Sequence, residues 1–97
     1  MKRTTFPNRP RLYRLTEFDF EAPAARQVSL AADFNQWNTN ALPMQKGPDG
    51  FWRVRVSLKP GRYEYRFCVD GVWQDDPFAQ ARVVNPLGSA NCVKTVV

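Results

Sequence analysis

Arg62-Tyr63-Glu64-Tyr65-Arg66-Phe67-Cys68-Val69-Asp70 is the stretch on which the fold turns. Tyr63, Tyr65, Phe67 and Val69 alternate with Glu64, Arg66, Cys68 and Asp70, the period of two that gives a strand one apolar and one polar face. The apolar face is expected to point inward, which sets Arg66 on the opposite, outer face. Asp70-Gly71 follows, and both residues tolerate positive φ, so a tight hairpin is expected there.

Working upstream, Phe51 to Leu58 places Trp52, Val54, Val56 and Leu58 on one face and Arg53, Arg55 and Ser57 on the other. Lys59-Pro60-Gly61 makes a short reversal, so these two strands are expected to pair antiparallel. Weaker strands are expected at residues 12–20, 27–31, 81–84 and 91–97. The eight prolines and five glycines are scattered and leave no room for a long amphipathic helix. Six or seven short strands separated by turn residues predict an all-β antiparallel sandwich. At 97 residues the chain has material for one core, because two of half the size would not offset their ordering entropy. The division expected is a flexible basic arm at residues 1–11 and a β-sandwich domain at residues 12–97.

The net charge of +5 invites a nucleic-acid partner, but its distribution argues otherwise. Lys2, Arg3, Arg9, Arg11 and Arg14 precede the first acidic residue, Glu17, and the remainder holds nine basic and nine acidic residues. The body is neutral, so no basic face for nucleic acid is expected. No apolar run approaches the roughly 18 residues of a membrane span, and no apolar stretch follows the basic N-terminus as in a secretory signal. A cytoplasmic protein without membrane contact is therefore expected. With no histidine and only Cys68 and Cys92, neither a metal site nor a cofactor is predicted. The thiols are expected to be free, although spacing alone leaves a single bridge between neighbouring strands open.

Three stretches put aromatic and polar residues into turns, where core packing does not demand them: Asp33-Phe34-Asn35-Gln36-Trp37-Asn38, residues 69–77, and Asn85-Pro86-Leu87-Gly88-Ser89-Ala90-Asn91. A sugar ring has apolar C–H faces and a hydroxyl rim, so a flat indole beneath it and hydrogen-bonding groups at its edge suit it. Trp52 runs in phase with Val54 and Val56 and is assigned to the core, as is Phe34. Trp37 and Trp73 sit in turn-like segments and are the candidate platforms. Arg66 is equally read as a solvated arginine, and Ser89 and Asn91 as turn residues bonding their own backbone. Asp70 and Asp76 read as turn formers rather than catalytic acids. Asp75 and Asp76, being adjacent, would point to opposite sides of an extended segment and cannot flank one glycosidic bond, so no catalytic residue is assigned.

The run Val28-Ser29-Leu30-Ala31-Ala32-Asp33-Phe34-Asn35-Gln36-Trp37, the strand ending Val69-Asp70-Gly71, the Asp76-Pro77 turn and the closing Leu87-Gly88-Ser89-Ala90-Asn91 together resemble the family 48 carbohydrate-binding modules. These include the glycogen-binding domain of the AMP-activated protein kinase β subunit and the N-terminal modules of isoamylases and branching enzymes. The ordered combination covers residues 12 to 97 and is specific where each piece alone is weak. The resemblance implies an immunoglobulin-like, early-set sandwich of about seven strands that binds α-1,4-linked glucan (glycogen, starch or maltooligosaccharide) without cleaving it. It assigns ring stacking to Trp37 and Trp73, hydroxyl contacts to Arg66, Ser89 and Asn91, and an apolar reach past the glucan to Leu87. It implies as partners an α-glucan and a glycogen- or starch-active enzyme. The competing expectation is a protein-interaction module, docked on an enzyme or kinase, whose sugar site is vestigial. Three positions depart from the family pattern: Arg66 for the usual lysine, Ser89 for threonine and Ala32 for glycine. Arg and Lys differ in hydrogen-bond geometry, so the first changes how a sugar would be held.

Overall fold

The computed structural model describes residues 12–97, and the basic arm expected at residues 1–11 lies outside them. Eight strands follow one another in the described chain: β1 (Arg14–Glu21), β2 (Val28–Ala32), β3 (Gln45–Lys46), β4 (Phe51–Leu58), β5 (Gly61–Val69), β6 (Val72–Gln74), β7 (Ala81–Val84) and β8 (Ala90–Val96). One sheet runs β1-β4-β3 and the other β2-β5-β8-β7, with β6 also on β5, and all named pairs are antiparallel. The sheets form an immunoglobulin-like β-sandwich.

Alternation explains the layers. On β5, Tyr65 and Phe67 are buried to 1% and 0% exposure, and on β4 Trp52 and Leu58 are buried while Arg55 and Ser57 are exposed. Phe18 of β1 meets Tyr65 edge-on at 5.0 Å and Phe20 meets Phe67 at 4.8 Å, so the two sheets interlock through aromatic rings. Each fully buried phenylalanine contributes about 3 kcal/mol. Trp52 donates its Nε1–H to Ala22 O at 2.8 Å and Phe34 packs against the cluster, as the core assignment requires.

The pairing expected between residues 51–58 and 62–70 is not formed. β4 pairs with β1 along its whole length, from Leu58↔Arg14 to Phe51↔Glu21, and β5 lies in the opposite sheet. Both strands carry a strongly apolar face, and facing each other across the sandwich buries both at once. Lys59-Pro60 therefore carries the chain between layers.

Beyond β5, the hairpin expected at Asp70-Gly71 is present, with φ of 49° and 83°, and it turns the chain into β6. Asp70 Oδ1 also accepts from Arg26 and Gln27 N–H at 3.0 and 2.9 Å, fastening the loop before β2. Asp76 is buried: Tyr65 OH donates to its Oδ2 at 2.5 Å and Phe78 N–H to its Oδ1 at 2.9 Å. Burial, then the neighbouring Asp76 carboxylate, drives the Tyr65 hydroxyl far above its ordinary pKa. Cys68 and Cys92 are both free, and burial raises the Cys92 thiol.

Candidate functional site

On the outer side of the second sheet, β5, β6, the start of β8 and two loops enclose an open cleft of about 520 Å³ lined by Trp37, Arg66, Trp73, Asn85, Pro86, Leu87, Ser89 and Asn91. All six residues singled out in the sequence stand in it together.

Trp37 is placed by the segment after β2. A 3-10 turn, Asp33–Asn35, ends in two successive left-handed residues, Gln36 and Trp37, with φ of 57° and 58°. Each costs on the order of 1 kcal/mol, so something must hold them. Asn35 does so: its Oδ1 accepts from Ala32 N–H at 3.0 Å and its Nδ2 donates to Leu30 O at 3.1 Å. Trp37 N–H donates to Ala32 O at 2.9 Å, and Asp33 Oδ2 accepts from Glu64 N–H at 3.1 Å, tying the turn to β5.

Trp73 lies on β6 directly opposite Cys68, so it shares the outer face with Arg66, two residues along β5. The residue is 42% exposed, against 8% for the core Trp52. The Arg66 guanidinium stands 5.7 Å from the Trp73 ring centroid, within cation–π range. Its Nε donates to Asp75 Oδ1 at 2.9 Å, which anchors the head group beside the indole. Arg66 is thus held rather than freely solvated.

Residues 85–89 form the loop between β7 and β8. Leu87 at its tip is 92% exposed, a conspicuous place for an apolar side chain beside two indoles. Ser89 is exposed and bonds within the loop, to the Asn85 side chain. Asn91 is buried and does not bond its own backbone: its Nδ2 donates to Glu64 Oε1 at 3.0 Å and its Oδ1 accepts from Asn85 Nδ2 at 3.1 Å. Asn85, Pro86 and the Asp75 anchor were missed in the sequence, where each reads as an ordinary turn residue.

The cleft lining contains no carboxylate. Away from the cleft Arg53 pairs with Asp49 at 2.6 Å and Arg55 with Glu17 at 3.2 Å, while the cleft's own Arg66 pairs with Asp75 at 2.9 Å. Among the described residues no group of three or more His, Cys, Asp or Glu side chains is arranged to hold a metal ion, and no helix is long and apolar enough to cross a membrane.

An open aromatic cleft on a small β-sandwich defines a binding module. Residues 15–97 match the family described as the glycogen recognition site of AMP-activated protein kinase, and the chain belongs to that family. It is 38% identical over 72 residues to the rice protein FLOURY ENDOSPERM 6, chloroplastic, covering 74% of this chain and 13% of that protein. It is 39% identical over 54 residues to the Arabidopsis thaliana PTST homolog 2, chloroplastic, covering 56% of this chain and 10% of that one. With the pig 5'-AMP-activated protein kinase subunit beta-1 it shares 31% identity over 83 residues, 86% of this chain and 60% of the subunit. The chain thus spans about a tenth of the two plant proteins and 60% of the pig subunit. The cytoplasmic location expected from the sequence is overturned by these matches, since the rice and Arabidopsis relatives are chloroplastic by name.

Proposed function

We propose that this chain is a non-catalytic family 48 module that binds α-1,4-linked glucan. The observation that carries this is the convergence of Trp37, Arg66, Trp73, Leu87, Ser89 and Asn91 on one open cleft. Glucose rings stack on the two indoles. The guanidinium Nη groups of Arg66, its Nε being taken by Asp75, donate to hydroxyls, and Ser89 and Asn91 meet the edge of the chain. Leu87 supplies an apolar contact past it.

If each indole covers about 100 Å² of sugar, burial at 25 cal/mol/Å² gives roughly 2.5 kcal/mol per platform. After association costs, binding falls on the order of micromolar to millimolar. Such affinity suits a module working in company, and the relatives carry the matched region as a part of longer proteins. A glycan-active enzyme or a kinase brought to the polymer is the partner class proposed. Hydrolysis is excluded from the proposal because it needs two carboxyl groups flanking the bond, whereas the cleft lining holds none.

The test is a glycogen pull-down with the Trp37→Ala/Trp73→Ala double variant. Loss of binding with an unchanged far-ultraviolet spectrum is expected. Retention of glycogen by the folded double variant refutes the assignment.

A further inference from the structure

Asn85 stands out because it absorbs the hydrogen bonds of a whole loop. The side chain's Oδ1 accepts from Leu87 N–H at 3.0 Å and Ser89 N–H at 3.2 Å. Its Nδ2 donates to Ser89 Oγ at 2.9 Å and Asn91 Oδ1 at 3.1 Å. Its backbone closes the turn, with Gly88 N–H on Asn85 O at 3.0 Å and Asn85 N–H on Ser89 O at 2.8 Å. Every backbone N–H from residue 87 to 89 therefore ends on Asn85, and Pro86 has none to place. Gly88, at φ 86°, permits the left-handed step that brings Ser89 back to Asn85.

Packing does nothing comparable. Leu87 is 92% exposed, so no core contact fixes its side chain above the cleft. A mobile loop would lose its backbone freedom on binding, whereas a turn closed by these hydrogen bonds has already lost it. The same amide group also orients Asn91, whose other hydrogen bond ties it to Glu64.

We infer that Asn85 is a positioning residue for the glucan cleft: it holds the residue 85–89 loop in its binding shape, presenting Leu87 beside the indoles and aiming Asn91. This rests on the glucan reading of the cleft. It assigns to Asn85 no sugar contact, only the geometry of residues that make one. Its effect must therefore shrink when Leu87, one of the two residues it positions, is gone.

The test is a double-mutant cycle read by calorimetric titration of β-cyclodextrin into wild type, Asn85→Ala, Leu87→Ala and the double variant, with thermal melts of each. Asn85→Ala is expected to weaken binding about tenfold, equivalent to about 1.4 kcal/mol, and to do so by a smaller factor in the Leu87→Ala background, where only its hold on Asn91 remains. Asn85→Asp keeps the Oδ1 acceptor for Leu87 and Ser89 and is expected to recover part of the loss. A merely stabilising residue would lower the melting temperature without this coupling. Equal affinity of wild type and Asn85→Ala, or additive losses in the cycle, overturns the positioning role. A wild type that takes no β-cyclodextrin overturns the glucan reading itself, and the role of Asn85 with it.

Discussion

Replacing one tryptophan at a time by alanine separates binding from folding, because the same substitution meets two environments. Trp52 is 8% exposed and gives its Nε1–H to Ala22 O, so Trp52→Ala leaves a cavity between the sheets and an acceptor without its donor. Core truncations of this size cost about 3–5 kcal/mol, a large share of the stability of so small a domain. Trp73 is 42% exposed at the rim of the cleft. Its removal takes away little packing besides the Arg66 contact, worth about 0.5–1 kcal/mol. What it loses is a platform worth up to roughly 2.5 kcal/mol of sugar burial, or a drop in affinity approaching 70-fold. Urea unfolding and a maltoheptaose titration on both variants measure the two losses independently. Trp73→Ala should lower its unfolding midpoint only slightly and lose much of its affinity, whereas Trp52→Ala should lose much of its stability and keep its affinity. If Trp73→Ala unfolds as easily as Trp52→Ala, or binds maltoheptaose like the wild type, the separation of core from platform is wrong.

Two further outcomes follow from the loops and the core. Asn35→Ala removes two hydrogen bonds from the turn that carries Trp37; it should cost about 1–2 kcal/mol in urea unfolding and weaken sugar binding several-fold, and unchanged affinity would show that Trp37 does not need its turn. Tyr65 is held protonated by burial and by Asp76, so in the unfolded chain it ionises first. Its contribution to stability is complete below about pH 10 and declines above it, by up to about 1.4 kcal/mol per pH unit. Urea midpoints between pH 8 and 11 should fall more steeply for wild type than for Tyr65→Phe, and parallel curves would contradict the assignment.

Strand faces were legible because burial imposes a strict period of two: residues 51–58 and 81–84 are strands with the expected bounds, and β5 is offset by one residue. Neighbours were not legible. Alternation says which way Trp52 and Tyr65 point, but a strand beside and a strand opposite satisfy it equally, and only the sandwich decides. β3 has two exposed polar residues, Gln45 and Lys46, and carries no periodic signal. β6 has three exposed residues and read as part of a turn. At the cleft, Trp37 and Trp73 betrayed themselves as large aromatics with polar neighbours in turns. Asn85 did not, since an asparagine before proline is an ordinary turn former until its partners are visible. Nor did Asp75, whose pairing with Arg66 depends on β6 folding back along β5. Location was not legible at all.

The most direct measurement follows the three indole N–H signals by NMR while β-cyclodextrin is added to millimolar concentration. Those of Trp37 and Trp73 should move together and saturate with a single dissociation constant, while that of Trp52 stays still. Movement of Trp52 alone, or no movement of any of the three, would contradict a glucan cleft lined by Trp37 and Trp73.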